Sequence, residues 1–206
     1  MKNLGIRMNI INQNIKQTKE FFNERADTWD NTSNYNYEKI SAIVTLAGIK
    51  EGSRVADIAC GTGILFHEIL SHKPKLLLGV DLSDKMIKNA RSKYVNPNLR
   101  LLVSDFFNVH ETGFDTIFLY NAYPHFLDKS RFSIHMSEML KTGGRFMIAH
   151  GESRDSINIH HIGKAVSKLS CGLKSAEEEK ANFSQAFNID MIADTDEIYF
   201  FSGTKK

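Results

Sequence analysis

The sequence predicts one α/β domain, a three-layer sandwich in which helices cover both faces of a mostly parallel seven-stranded sheet with an antiparallel last strand. Three observations predict it. From residue 54 onward, short apolar runs alternate with segments of helical period, the pattern of strands joined by right-handed helical crossovers. The first apolar run ends in two glycines one residue apart, in "RVADIACGTGILFHEI". The last two strand-like runs, around "IDMIAD" and "DEIYFFSG", lie too close in sequence for a helix between them, so they form a hairpin and the final strand opposes the rest.

The elements follow in order. Residues 1–15, rich in asparagine, read as frayed, because little there repays ordering by burial. Residues 16–47 hold two helices. "TKEFFNERADTWD" aligns Thr18, Phe22, Ala26 and Trp29; "NYEKISAIVTLA" aligns Tyr37, Ile40, Val44 and Ala47 and stops at Gly48. Residues 48–206 hold the sheet. Its strands are "SRVADIA", "KLLLGVDL", "LRLLVSD", "FDTIFLYN", "GGRFMIAH" and the closing hairpin. Between them run the helices "GILFHEILSH", "SDKMIKNARSKY" capped by Ser83, "DKSRFSIHMSEML" capped by Asp128, and "SAEEEKANFSQAF" with a Ser175/Glu178 capping box.

Composition bounds the function. The 206 residues suit a single domain, and a net charge of +2 with 42% hydrophobic residues describes an ordinary mixed-charge surface rather than a nucleic-acid groove. No run is long enough to span a bilayer, and Cys60 and Cys171 make no disulfide framework. The expectation is a cytoplasmic protein with no nucleic-acid or membrane partner, monomeric or homodimeric.

In an open α/β sheet, ligands bind beyond the carboxyl ends of the strands, which is where Gly61 and Gly63 lie. A dinucleotide loop needs a small residue three positions after its second glycine, and here that residue is Phe66. What remains is a series of acids at successive strand ends: Asp57, Asp81 and Asp105. Such a set suits a ligand with hydroxyl and amine donors and no phosphate to repel. An aminoacyl-adenosine such as S-adenosyl-L-methionine fits, with Asp81 on the ribose hydroxyls, Asp105 on the adenine amine and Asp57 near the ammonium.

At these residues the chain resembles the class I S-adenosylmethionine-dependent methyltransferases, a Rossmann-like family. "VADIACGTG" looks like their first motif, "GVDLSDKMIKNAR" their second-strand motif, "VSDFF" their adenine-side motif and "MLKTGGRFMIAH" their fifth strand. "FFNERADTWD" resembles the lid of short bacterial small-molecule members of the quinone-biosynthesis type. "HGESRDSINIHH" resembles a group carrying His150, Ser153, Arg154, Ile157, Asn158 and His161 after the fifth strand, with Gly151 where serine is expected. The resemblance implies methyl transfer to a small-molecule acceptor held between the lid and the loop 151–174. It implies a cofactor site of Asp57, Ala59, Gly61, Gly63, Asp81, Leu82, Met86, Asp105, Phe106, Asn121 and Tyr123, with Tyr123 over the sulfonium.

His125 and His150 end neighbouring strands and are the candidate catalytic residues, as base or orienter for a hydroxyl acceptor. No metal is expected, because the histidine spacing matches no standard ligand pattern. Cys60 reads as a small packing residue without chemistry. Two rival readings stand beside catalysis: a non-catalytic sensor or assembly protein that binds the same cofactor, and a nucleotide-dependent oxidoreductase, which Phe66 opposes.

Overall fold

A computed structural model describes residues 2–33, 35–161, 167 and 169–206, with side chains from residue 13 onward. Seven strands among them form one sheet: β1 (Arg54–Ile58), β2 (Leu76–Asp81), β3 (Leu99–Val103), β4 (Phe114–Tyr120), β5 (Leu140–His150), β6 (Phe187–Asp194) and β7 (Tyr199–Lys205). Their order is β3-β2-β1-β4-β5-β7-β6. Strands β1 to β5 pair in parallel, and β7 inserts antiparallel between β5 and β6. The final strand runs against the others, as the short β6–β7 connection requires.

Strand β1 lies inside the sheet between β2 and β4 and is buried from Val55 to Ile58, which explains its continuous apolar character. One face of the sheet meets an aromatic-rich layer built on Phe132, Phe146, Phe183 and Phe201. The other face meets Ile40, Val44, Phe66, Ile69 and Ile87. Strand order reverses between β1 and β4, and the carboxyl ends there frame the site.

The helices are α1 (Lys2–Arg25), α2 (Trp29–Thr32), α3 (Tyr37–Leu46), α4 (Phe66–Ser71), α5 (Asp84–Lys93), α6 (Lys129–Met139), α7 (Arg154–His161) and α8 (Ala176–Glu179). The expected caps are present. Ser83 Oγ accepts from Met86 N at 3.0 Å, Asp128 Oδ1 from Arg131 N at 3.0 Å, and Ser175 and Glu178 form the reciprocal box. No described helix is long and apolar enough to cross a membrane.

Four elements differ from the sequence reading. Helix α1 runs back to Lys2, through residues expected to be frayed. Leu4, Met8, Ile11 and Ile15 fall at helical spacing there, a pattern that favours continuation. The helix expected through Trp29 ends at Arg25; the break frees the Ala26 carbonyl, which accepts from Asn89 Nδ2 at 2.8 Å. In α3, Tyr37 is 69% exposed and Ile43 takes its place in the buried stripe. Helix α8 closes after four residues because Glu179 turns inward and the chain bends to seat Phe183 against Phe146. Helix α7 itself went unread, although Ser153 Oγ accepts from Ser156 N at 3.2 Å as its amino-terminal cap.

Candidate functional site

The loop after β1 turns on three left-handed residues: Ala59 (φ 53°), Gly61 (φ 54°) and Gly63 (φ 88°). Glycine is required at 63 for a second reason. A Cβ there would lie 2.4 Å from the Phe66 ring, which is fully buried between Gly63 and Gly79 and edge-on to Tyr94. Phe66 therefore packs the space beneath the loop instead of holding its helix away. Cys60 packs against Gly79, and burial, then Asp57 and Asp81, push its thiol well above the usual range, which leaves it inert.

Asp81 stitches this loop to β2. Its Oδ2 accepts from Gly61 N and its Oδ1 from Ser83 N, both at 2.8 Å. Burial raises its carboxyl to about 6 against the lowering effect of those amides. Asp57, also buried, is pushed well above the carboxylate range by desolvation and then by Asp81. Asp105 accepts from Phe107 N at 3.0 Å and so caps the turn after β3 as well as facing the cavity.

The cavity measures about 680 Å³. Ala59, Gly61, Asp81, Leu82 and Met86 line one side, with Asp105 and Phe106 beyond. Asn121, His125 and His150 line the other end. Asp57, near the end of β1, and Gly63, within the loop, do not line the cavity.

Two expected contacts need correction. Tyr123 does not face the cavity: its side chain is fully buried, packs on Phe201, and donates to Glu179 Oε2 at 2.9 Å. The three-ten turn at Tyr123–His125 rotates it into the aromatic core. Asn121 lines the cavity in a left-handed conformation, but its side chain is engaged, Oδ1 accepting from Gly151 N at 3.0 Å. It ties the ends of β4 and β5 together, and its backbone N–H also donates to Ala149 O at 2.9 Å, which leaves its carbonyl to meet a ligand.

The segment after β5 divides into anchors and wall. Arg154 pairs with Asp194 at 3.1 Å, and Asn158 clamps the Leu173 peptide, accepting from its N at 2.8 Å and donating to its O at 3.0 Å. Ile157 is buried. These fix α7, which brings His161 to 5.6 Å from His125, edge to face. The rest of the loop expected to bound the acceptor, residues 162–166 and 168, lies outside the described residues. Gly151 has its own reason: a Cβ there would sit 2.5 Å from the Tyr120 hydroxyl.

Burial, and secondarily the positive field of Lys129, lowers His150 to about 3. His125 falls to about 4 for the same first reason. Both rings are neutral at physiological pH. Among the described residues, no three His, Cys, Asp or Glu side chains are grouped to hold a metal ion.

Helices α1 and α2, in the segment expected to form a lid, are tied down by contacts that sequence spacing does not reveal. The Thr62 hydroxyl donates to Asp30 Oδ1 at 2.5 Å, and Lys93 pairs with Asp30 at 2.7 Å. Asn23 Oδ1 accepts from Ser83 Oγ at 2.5 Å, and Lys19 pairs with Asp84 at 2.8 Å. Phe22 and Trp29 reach the cavity from this lid.

Residues 55–144 match the model of a methyltransferase domain family. The chain is 31% identical over 114 residues to a ubiquinone/menaquinone biosynthesis C-methyltransferase of Teredinibacter turnerae, covering 51% of this chain and 45% of that protein. It is 28% identical over 102 residues to a malonyl-[acyl-carrier protein] O-methyltransferase of Coxiella burnetii, covering 47% and 40%. The chain thus spans under half the length of these curated relatives. In fold it resembles a Haloferax volcanii putative methyltransferase solved with the Trm112 activator (TM-score 0.76, 19% identity, 91% and 96% coverage). It also resembles magnesium protoporphyrin IX methyltransferase from Synechocystis, solved with bound S-adenosylmethionine (TM-score 0.68, 16% identity, 94% and 97% coverage).

Proposed function

We propose that this chain is a class I S-adenosylmethionine-dependent methyltransferase, a reading supported by its likeness to a methyltransferase domain family over residues 55–144, and that it moves a methyl group from that cofactor to a small-molecule acceptor. The observation that carries the reading is the Asp81 carboxylate in the cavity wall, held on Gly61 and Ser83 with lone pairs left for a ribose. The donor set fits the cofactor. Among the described residues, Arg131 is the one lysine or arginine lining the cavity, and it lies over the Phe107 ring at 3.9 Å, while the carboxylates of Asp81 and Asp105 would repel a phosphate. The Asp57 carboxyl, raised by burial and then by its neighbour Asp81, is relieved by a cation held on the other side of the loop, and the cofactor's ammonium is one.

Bound in this cleft, S-adenosylmethionine supplies an electrophilic methyl group on a sulfonium. The chain's part is positioning and exclusion of water. Asp81 and Asp105 hold the adenosine end, the Asn121 carbonyl accepts from the methionine end, and the lid closes over both through Asp30 and Asn23. Low basicity makes His125 and His150 orienting groups for the acceptor rather than reservoirs of a proton. A small acceptor is supported by the cavity, which is roofed by the chain's own lid and has apolar walls at Phe22, Phe126 and Ile157.

The test is transfer of labelled methyl from the cofactor into fractionated cell extract. Label in a low-mass product is the expected result. Label confined to macromolecules would contradict the small acceptor, and cofactor binding without transfer in any fraction would favour the sensor reading.

A further inference from the structure

His125 Nδ1 lies 3.1 Å from the carbonyl oxygen of Leu169. A carbonyl only accepts, so Nδ1 carries the ring proton. In a neutral imidazole the other nitrogen, Nε2, is then a bare acceptor. The ring is neutral because burial lowers its affinity for a proton, with His161 and Lys129 adding to that against the Leu169 bond. Its orientation is held on three sides: the buried Leu169, the edge-to-face contact with Phe22 at 5.2 Å, and His161 at 5.6 Å.

The surroundings extend this pattern. His150 is 3% exposed, and its Nε2 has no hydrogen-bond partner. Phe22, Phe126 and Ile157 supply apolar wall beside the two rings. Of the charged groups that line this end, Asp128, Arg131 and Glu152 are exposed at the rim, with Arg131 over the Phe107 ring at 3.9 Å. Lys129, whose field reaches both rings, is turned away from the cavity, its Nζ donating to the Tyr123 carbonyl and lying 3.4 Å from the centroid of the Tyr123 ring. An anion placed against His125 would face a lone pair and lose its water without a partner. A hydrogen-bond donor would gain one.

We propose that this end of the site selects an acceptor bearing an uncharged O–H or N–H on an apolar, ring-sized body, and that His125 selects it by accepting that hydrogen at Nε2. The proposal rests on the methyltransferase reading above, because it names that reaction's second reactant. In the transfer the acceptor oxygen or nitrogen bonds to the methyl carbon as the carbon–sulfur bond breaks, and the electron pair stays on sulfur. The methylated acceptor atom becomes strongly acidic, so its proton passes to Nε2 and then to water, even though that imidazole is a weak base.

Two measurements test it. In long-range proton–nitrogen spectra of protein labelled with nitrogen-15 histidine, His125 is expected as the neutral Nδ1–H tautomer at neutral pH. A proton on Nε2, or an imidazolium, overturns the proposal. In calorimetry, protein saturated with S-adenosylhomocysteine is titrated with 2-naphthol, its methyl ether and 2-naphthoate. Naphthol is expected to bind about tenfold or more tightly than the other two, as one well-made hydrogen bond allows. His125→Asn, whose amide can keep the Leu169 bond while removing the Nε2 acceptor, should erase that preference. Equal binding of the ether, tighter binding of naphthoate, or no binding of any of the three overturns the proposal and leaves the methyltransferase reading standing. Failure of S-adenosylhomocysteine itself to bind overturns both.

Discussion

The Thr62 hydroxyl donates to Asp30 Oδ1 at 2.5 Å, which ties α2, in the proposed lid, to the glycine loop at the cavity wall. Lys93 of α5 meets the other oxygen of the same carboxylate at 2.7 Å. Asp30→Ala cuts both ties while Asn23 still holds α1 to Ser83. The expected outcome is faster cofactor release and an affinity lower by roughly three- to tenfold, since each such bond is worth about 1 kcal/mol. Stopped-flow release of S-adenosylhomocysteine measures this directly, and an unchanged release rate would mean the lid does not retain the ligand.

Gly151 and Tyr120 form a second testable pair. Gly151→Ala puts a Cβ 2.5 Å from the Tyr120 hydroxyl and is expected to destabilise the fold by about 1–3 kcal/mol. Adding Tyr120→Phe removes the obstructing oxygen and should restore most of that loss in denaturant unfolding. Additive losses in the double variant would show that the hydroxyl is not the obstacle.

These two contacts also mark where the sequence stopped being informative. The alternation of strands and helices, the reversed last strand and the three caps were legible, because each depends on local periodicity or on a motif of fixed spacing. Tyr123 was not. Its position beside β4 suited either the cavity or the core, and only the partner at Glu179, 56 residues later, turns it inward. Asn121 misled for a similar reason: its amide is claimed by Gly151 on the neighbouring strand. The serine expected at 151 is excluded by a hydroxyl from β4. Helix α7 was masked by a short polar run whose anchors, Asp194 and Leu173, lie far along the chain.

Asp57 gives a pH-dependent prediction. Its carboxyl is raised in the fold, so the folded state keeps a proton that the unfolded chain has lost. Stability therefore falls as pH rises from the ordinary carboxylate value, about 4, through the raised one. Asp57→Asn removes that loss. Its melting temperature should exceed that of the parent at pH about 8, by roughly 2–4 °C for each kcal/mol recovered, and converge with it near pH 4. The lowered histidines His125 and His150 act with the opposite sign below their ordinary value of 6.5. The comparison is therefore made between variant and parent at each pH. A gap that is constant with pH would show that Asp57 does not ionise unfavourably in the fold.

The central claim is that the cleft beside Asp81 holds S-adenosylmethionine, and calorimetric titration of that cofactor tests it most directly. The parent protein should bind S-adenosylmethionine and S-adenosylhomocysteine at micromolar concentrations and give no heat with NAD. Asp81→Ala loses the acceptor for a ribose and for two loop amides, a cost on the order of 2–3 kcal/mol, so its affinity should fall about 30- to 150-fold. Because those amides also lose a partner in the fold, Asp81→Asn is titrated alongside it, below the melting temperature of each. Binding of NAD in preference to S-adenosylmethionine, or an unchanged affinity in both Asp81 variants, would contradict the account.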